Sequence, residues 1–276
     1  MSKPPRRGRL GTVGRNVLGW LAMTLFGALS THAAEPPRAQ SAALTSYQRD
    51  LVSILVLRDD ATHLLGAALL ARTLDQQPPG LDSASLLARA DKAPDHGLLP
   101  TWIELSQCEA PADCPNPTAL AALQAADPDN AAVWLLGLGR AARQHDAAGE
   151  QAMLAKAAAA SRYDDYAGAT LKTLVAAATA LPVPKDVLAA YAGKTAAGPA
   201  SAQAFLAFGS VGLHPRPGLL PLAALCAPDH DAAATLRADC LQLSTRLIWG
   251  SSPQARAAGL HLRETLSEDA ATRRDA

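Results

Sequence analysis

The stretch "DPDNAAVWLLGLGRAARQHDAAGEQAMLAKAAAA", residues 127–160, decides the fold class. It is rich in alanine and leucine and has no cluster of β-branched residues, a composition that favours helix over strand. Asp127-Pro128 closes one helical run and opens the next, and Asp146 divides the stretch into two helices. Packed as an antiparallel pair, Val133, Trp134, Leu138, Ala141 and Ala142 are expected to face Met153, Leu154, Ala157 and Ala158. Gly137, Gly139 and Gly149 permit close approach between the two, while Trp134 fills volume that alanine cannot.

Working outward, the same grammar recurs. In "DDATHLLGAALLARTL" Asp59 or Asp60 can cap a helix, and Arg72 sits where the helix dipole welcomes a cation. "SYQRDLVSILVL" reads as helix, with a buried strand over "VSILVL" as the alternative. Pro94, Asn116-Pro117, Pro182, Pro184, Gly198-Pro199, Pro215, Pro217, Pro228 and Pro253 each end or begin a run, and Asn116-Pro117 is a cap and first-turn pair. The intervals predict about a dozen helices joined by short loops. The best candidate for an internal boundary is "LPVPKD", residues 181–186.

Pro94 and Pro128 lie 34 residues apart, each after an alanine-rich helix end and before a tryptophan, Trp102 or Trp134. On these residues the chain resembles a tetratricopeptide repeat protein, with Trp134 at the opening aromatic position and Asp146 at the turn between the helices. The second aromatic position is Ala141, and no proline stands near Arg162. The resemblance implies an all-α fold of antiparallel helix pairs stacked as a TPR-like α-solenoid, or superhelix. The segment "RADCLQLSTRLIWGSSPQARAAGLHLRETL", Arg237 to Leu266, is in addition similar to a group of uncharacterised exported alanine-rich helical proteins of Gram-negative bacteria. That likeness implies export and helix, and no activity.

The N-terminus reads as a secretory signal peptide over residues 1–33, leaving 34–276 as the helical-repeat domain. Lys3, Arg6, Arg7 and Arg9 form a basic leader, and the apolar run Val17 to Leu29 is shorter than the 18 or more residues of a membrane span. Thr31 and Ala33 fit the small-residue rule, so cleavage is expected after Ala33. Arg6-Arg7 lacks the apolar pair of a twin-arginine signal, which favours the general secretory route. Without the leader's five cations (those four and Arg15), 20 basic side chains face 25 acids, a net charge of −5. That balance, with 4% aromatic residues, argues against nucleic acid. The expectation is a periplasmic or secreted protein with no stable membrane anchor after cleavage.

Export and an even number of cysteines favour disulfides. Cys108 and Cys114 in "CEAPADC" stand at a helix end and just before the Asn116 cap, so a bond between them would clamp a corner. Cys226 and Cys240 would tie a loop to the following helix, at a lopsided spacing for a helical hairpin. Neither pair has the spacing of a zinc site or a C-x-x-C redox motif.

Other motifs favour bland readings. Gly193-Lys194-Thr195 resembles the tail of a phosphate loop, but Leu188 replaces the required glycine. Gly209-Ser210-Val211-Gly212 is one residue short of a nucleophile elbow. The histidines His63, His96, His145, His214, His230 and His261 stand apart from one another, and Asp229-His230-Asp231 is at most a weak metal site. "SRYDDY" is the most polar-aromatic cluster, and Tyr163, Asp164, Asp165 and Tyr166 are the candidate binding surface, with Asp164 or Asp165 also able to cap a helix. No catalytic residue, metal or cofactor is assigned. The reading that follows is a non-catalytic module that binds a protein or peptide, or serves an assembly; the alternatives are a hydrolase acting on an envelope polymer or peptide, and a purely structural protein.

Overall fold

Caps and prolines mark many helix ends, and breakers read from the sequence such as Asn116-Pro117, Asp146 and Pro253 recur at termini, while Pro228 lies outside the described residues. The structure, a computed structural model, describes residues 38–108, 114–191, 198–211, 214–227 and 234–267. Among them are thirteen helices and no strand, an all-α fold: α1 (Arg38–Leu55), α2 (Ala61–Ala71), α3 (Ser83–Ala90), α4 (Leu99–Glu104), α5 (Pro117–Ala126), α6 (Ala131–Arg143), α7 (Ala147–Ala159), α8 (Ala167–Ala178), α9 (Lys185–Tyr191), α10 (Pro199–Val211), α11 (Leu219–Leu225), α12 (Ala234–Ile248) and α13 (Pro253–Leu266).

Among the described residues, six helices carry a side-chain cap on an otherwise orphaned N–H, from Asp60, Asp82, Asn116, Asn130, Asp146 and Ser252. Each such cap is typically worth ~1 kcal/mol. Asp60 also takes His63 Nδ1 at 2.7 Å. Partial burial would raise its carboxyl, but the bonds from His63 hold it below the usual carboxylate range. The segment "VSILVL" is helical through Leu55, so the strand alternative is not taken.

The pair read from the opening stretch forms as α6 and α7. A methyl added at Gly137 would lie 2.8 Å from Met153 Sδ, and one at Gly149 would lie 3.2 Å from Ala141 Cβ. Leu138, Leu154, Ala157 and Ala158 are buried between them. Helices α2 with α3 and α12 with α13 pack as comparable neighbours.

Beyond these pairs the order of packing differs from a simple stack. Helix α2 lies on α8, α8 on α10, α7 on α12 and α6 on α11. A solenoid buries each unit against its sequence neighbours, and these longer-range contacts do not by themselves establish the stacked arrangement implied by the repeat resemblance. Small residues make the distant contacts possible. A methyl on Gly66 of α2 would sit 2.8 Å from Ala177 Cβ of α8. Gly218, the N-cap of α11, donates its N–H to Leu135 O of α6 at 3.0 Å, and a methyl there would meet Gly139 N at 2.9 Å. The Tyr47 hydroxyl donates toward Ala178 O and Leu181 O, each at 3.0 Å, across more than 130 residues of chain. A 34-residue spacing does survive locally: Ala61 N donates to Asp95 Oδ1, Arg72 Nη2 to Ser106 Oγ, and Asp164 N to Asn130 Oδ1, all at that separation.

Cys108 and Cys114 are bonded with Cα atoms 5.4 Å apart, and Cys226 and Cys240 with Cα atoms 6.0 Å apart. The first bond lies between α4 and the Asn116 cap of α5. The second joins the C-cap of α11 to the buried Cys240 inside α12. Contacts divide the chain into Met1–Arg38 and Ala39–Ala276. The expected signal peptide and its cleavage point lie outside the described residues, whereas the second unit runs through "LPVPKD" without a break. No described helix is long and apolar enough to cross a membrane.

Candidate functional site

The polar cluster "SRYDDY" lies in the loop between α7 and α8, and its backbone is zipped to the loop between α5 and α6. Ser161 N and Arg162 N both donate to Asp129 O at 3.1 Å, and Ala131 N donates to Arg162 O at 2.8 Å. Asn130, fully buried, saturates the seam with its side chain. Its Oδ1 accepts from Ala132 N at 3.1 Å and Asp164 N at 2.9 Å. Its Nδ2 donates to Asp164 O at 2.8 Å and to Asp127 Oδ2 at 2.9 Å. Two acceptor and two donor positions are the whole capacity of a carboxamide, and Asn130 uses all of them here.

Asp127 is the charged centre of the seam. It accepts from Arg162 Nη2 at 2.6 Å, from Asn130 Nδ2, and from the Tyr166 hydroxyl at 3.0 Å. A buried carboxylate is tolerated when it is paired and hydrogen-bonded in this way. Burial alone would lower the Arg162 guanidinium, but the Asp127 carboxylate raises it above its ordinary value. Burial and, next, the Asp127 charge push the Tyr166 phenol up to about 12.

Asp165 organises the other half. Its N–H donates to Ser251 Oγ at 3.0 Å, and its Oδ1 accepts from Ser251 Oγ at 2.9 Å and from Ala167 N at 3.2 Å. The Tyr163 hydroxyl donates to its Oδ2 at 3.4 Å. Tyr163 is buried beneath Gly250, where an added methyl would come within 2.7 Å of the ring. Burial, with the nearby Asp165 charge, raises the Tyr163 phenol far above its ordinary value. The N-cap of α8 is Tyr166, in the left-handed region at φ 55°, with no side-chain cap of its own. Asp164 Oδ1 accepts from Tyr166 N, and Asp165 Oδ1 from Ala167 N, so both acids serve the turn without being the cap residue.

The structure thus brings Tyr163, Asp164, Asp165 and Tyr166 together but does not make them an exposed face. Tyr163 and Asp165 are buried, and Asp164 and Tyr166 are half-buried. Tyr163 and Asp165 face inward in this junction, while Asp164 and Tyr166 keep partial exposure. The reason is physical: in a chain this rich in alanine, polar side chains lodged between helices must find one another.

Two residues from far away in sequence, Trp102 and His214, complete the junction together with Thr170 of α8. Trp102 of α4, fully buried, lies with its ring centroid 5.0 Å from that of Tyr166 and 6.0 Å from that of His214. Its Nε1 donates to His214 Nε2 at 3.1 Å. His214 Nδ1 lies 3.0 Å from Thr170 Oγ1, and Nε2 lies 2.6 Å from Asp165 O. Burial, the largest influence, holds the His214 imidazole below its ordinary value. In the sequence His214 is one of several histidines standing apart, and nothing there links it to Trp102 or Thr170. The available signal was its position at a proline-flanked corner, "LHPRP", where a polar ring turned inward needs partners.

Chemically, Thr170 and His214 form a hydroxyl–imidazole pair, but Thr170 is fully buried and its hydroxyl faces no solvent. Among the described residues no group of three His, Cys, Asp or Glu could hold a metal ion. The Gly193-Lys194-Thr195 and Asp229-His230-Asp231 segments lie outside the described residues. On the outer side of the junction, the turn between α12 and α13 carries Trp249, which is 84% exposed. Its neighbours two positions on and one position on, Ser251 and Gly250, are those held against Asp165 and Tyr163. Compared with protein-family models, curated proteins and solved structures, the chain matches none of them.

Proposed function

We propose that the protein is an exported, non-catalytic helical module that binds a protein or peptide in the periplasm or outside the cell. The observation that carries this reading is Trp249, a large apolar side chain left in water on a short turn whose base is hydrogen-bonded into the core. Tryptophan is enriched among the residues that dominate binding energy. A rigid turn lowers the entropy lost when such a residue docks. Two disulfide-bonded cysteine pairs support an oxidising destination, as does the leader read from residues 1–33.

The test is site-specific photo-crosslinking in intact cells. A photoreactive phenylalanine at position 249 is expected to give one discrete adduct, identified by mass, while the same residue at exposed Asp91 gives none. Equal patterns at both positions, or no adduct at either, would overturn the reading.

A further inference from the structure

His214 Nε2 has two neighbours with opposite demands. The Trp102 indole N–H is aimed at it from 3.1 Å and requires a lone pair there, whereas the Asp165 carbonyl oxygen, 2.6 Å away, requires a proton. On the far side of the ring, Nδ1 meets Thr170 Oγ1 at 3.0 Å, a hydroxyl able to donate or accept. A neutral imidazole has one N–H and one lone pair, so it cannot satisfy both partners of Nε2 together.

We propose that His214 is a proton-operated selector: neutral, it donates Nδ1–H to Thr170 and accepts from Trp102, and with a second proton on Nε2 it donates to the Asp165 carbonyl and releases Trp102. The proton is taken from solvent, and no covalent bond changes. Release matters because Trp102 is fully buried, so its N–H has no water to turn to. The selector therefore joins α4, the start of α8 and the loop before α11 in one protonation state and loosens that junction in the other.

The charges facing the ring come from three directions. The Asp165 carboxylate, ahead of α8, favours the imidazolium, while Arg216 on the ring's own loop and Arg72 at the end of α2 oppose it; α4 contributes the Trp102 indole. Burial opposes it most, and the balance lies below the ordinary 6.5. The unfolded chain then takes up the proton first. The contribution of the junction to stability is complete above pH 6.5 and declines as pH falls below it.

The experiment is nitrogen-15 NMR of the histidine rings and indole N–H groups of the full chain, followed from about pH 8 to about pH 4.5 across the range where histidine changes charge. His214, assigned by comparison with His214→Gln, is expected to be the Nδ1–H tautomer at neutral pH and to titrate below 6.5. The Trp102 indole signal should move with the same midpoint. The Nε2–H tautomer at neutral pH, a midpoint at or above 6.5, or an indole signal that ignores the titration would each overturn the proposal. Trp102→Phe supplies a second reading that does not depend on how well His214→Gln folds. It removes one demand on Nε2, so the neutral proton should move to Nε2 and the midpoint should rise; an unchanged tautomer and midpoint would overturn the proposal as well.

Discussion

Trp102 and Trp134 occupy similar places in the sequence, each a short distance after a helix-breaking proline and near the start of a helix, yet they do different work. Trp134 is a local residue: its Nε1 donates to Pro128 O at 2.7 Å, six residues away, and Lys156 Nζ lies 4.5 Å from its ring centroid within the same helix pair. Trp102 is a long-range residue, meeting Tyr166 and His214, the latter 112 residues away. Similar local signals therefore place an aromatic residue on a helix without saying how far its partners lie.

Replacing each tryptophan by alanine should separate the two. Large-to-small deletions of tryptophan cost ~3–5 kcal/mol. Trp102→Ala is expected at the top of that range, because Trp102 is 0% exposed and its loss leaves a cavity beside His214, whereas Trp134, 8% exposed, belongs at the bottom. Denaturant unfolding of both variants checks the order, and equal losses would erase the distinction.

The covalent closures sharpen the same contrast. The Cys108–Cys114 bond closes the corner beside Trp102, while the α6–α7 pair around Trp134 has no such bond. Loop entropy for a closure of this length is ~2–2.5 kcal/mol, less any strain. Replacing both Cys108 and Cys114 by alanine should lower stability by about that amount, measured by denaturant unfolding. A neutral result would mean that the junction already holds the corner without the bond.

The smallest effect is expected at Lys156. Exposed cation–π pairs contribute ~0.5–1 kcal/mol. Lys156→Met keeps the stem and removes the charge, and a loss well beyond that range in a thermal melt would show that Trp134 depends on more than local packing.

The fold was legible where the determinants were local. Asp60, Asn116 with Pro117, and Asp146 cap the helices that their positions announced. The α6–α7 pair also follows from short-range spacing, whereas the cysteine pairs follow from export and an even cysteine count, the Cys226–Cys240 spacing being lopsided for a helical hairpin. The candidate site was legible only as composition: "SRYDDY" stood out as polar, but polarity suggested a surface. Tyr163 and Asp165 are buried because Ser251, 86 residues beyond Asp165, closes over them, and periodicity carries no record of so distant a partner. The same blindness hid the packing of α7 on α12 and of α2 on α8, the latter made close by Gly66 against Ala177 rather than by any motif.

The central claim is that the junction around Asp165, Trp102 and His214 makes distant helices cooperate, rather than leaving each helix to its sequence neighbour. Hydrogen–deuterium exchange on the wild type and Trp102→Ala tests it most directly. Faster exchange should appear in α4 and also in α8 and the loop over residues 214–218, with α6 and α7 less affected. Faster exchange confined to residues 99–108 would contradict the account and restore a nearest-neighbour stack.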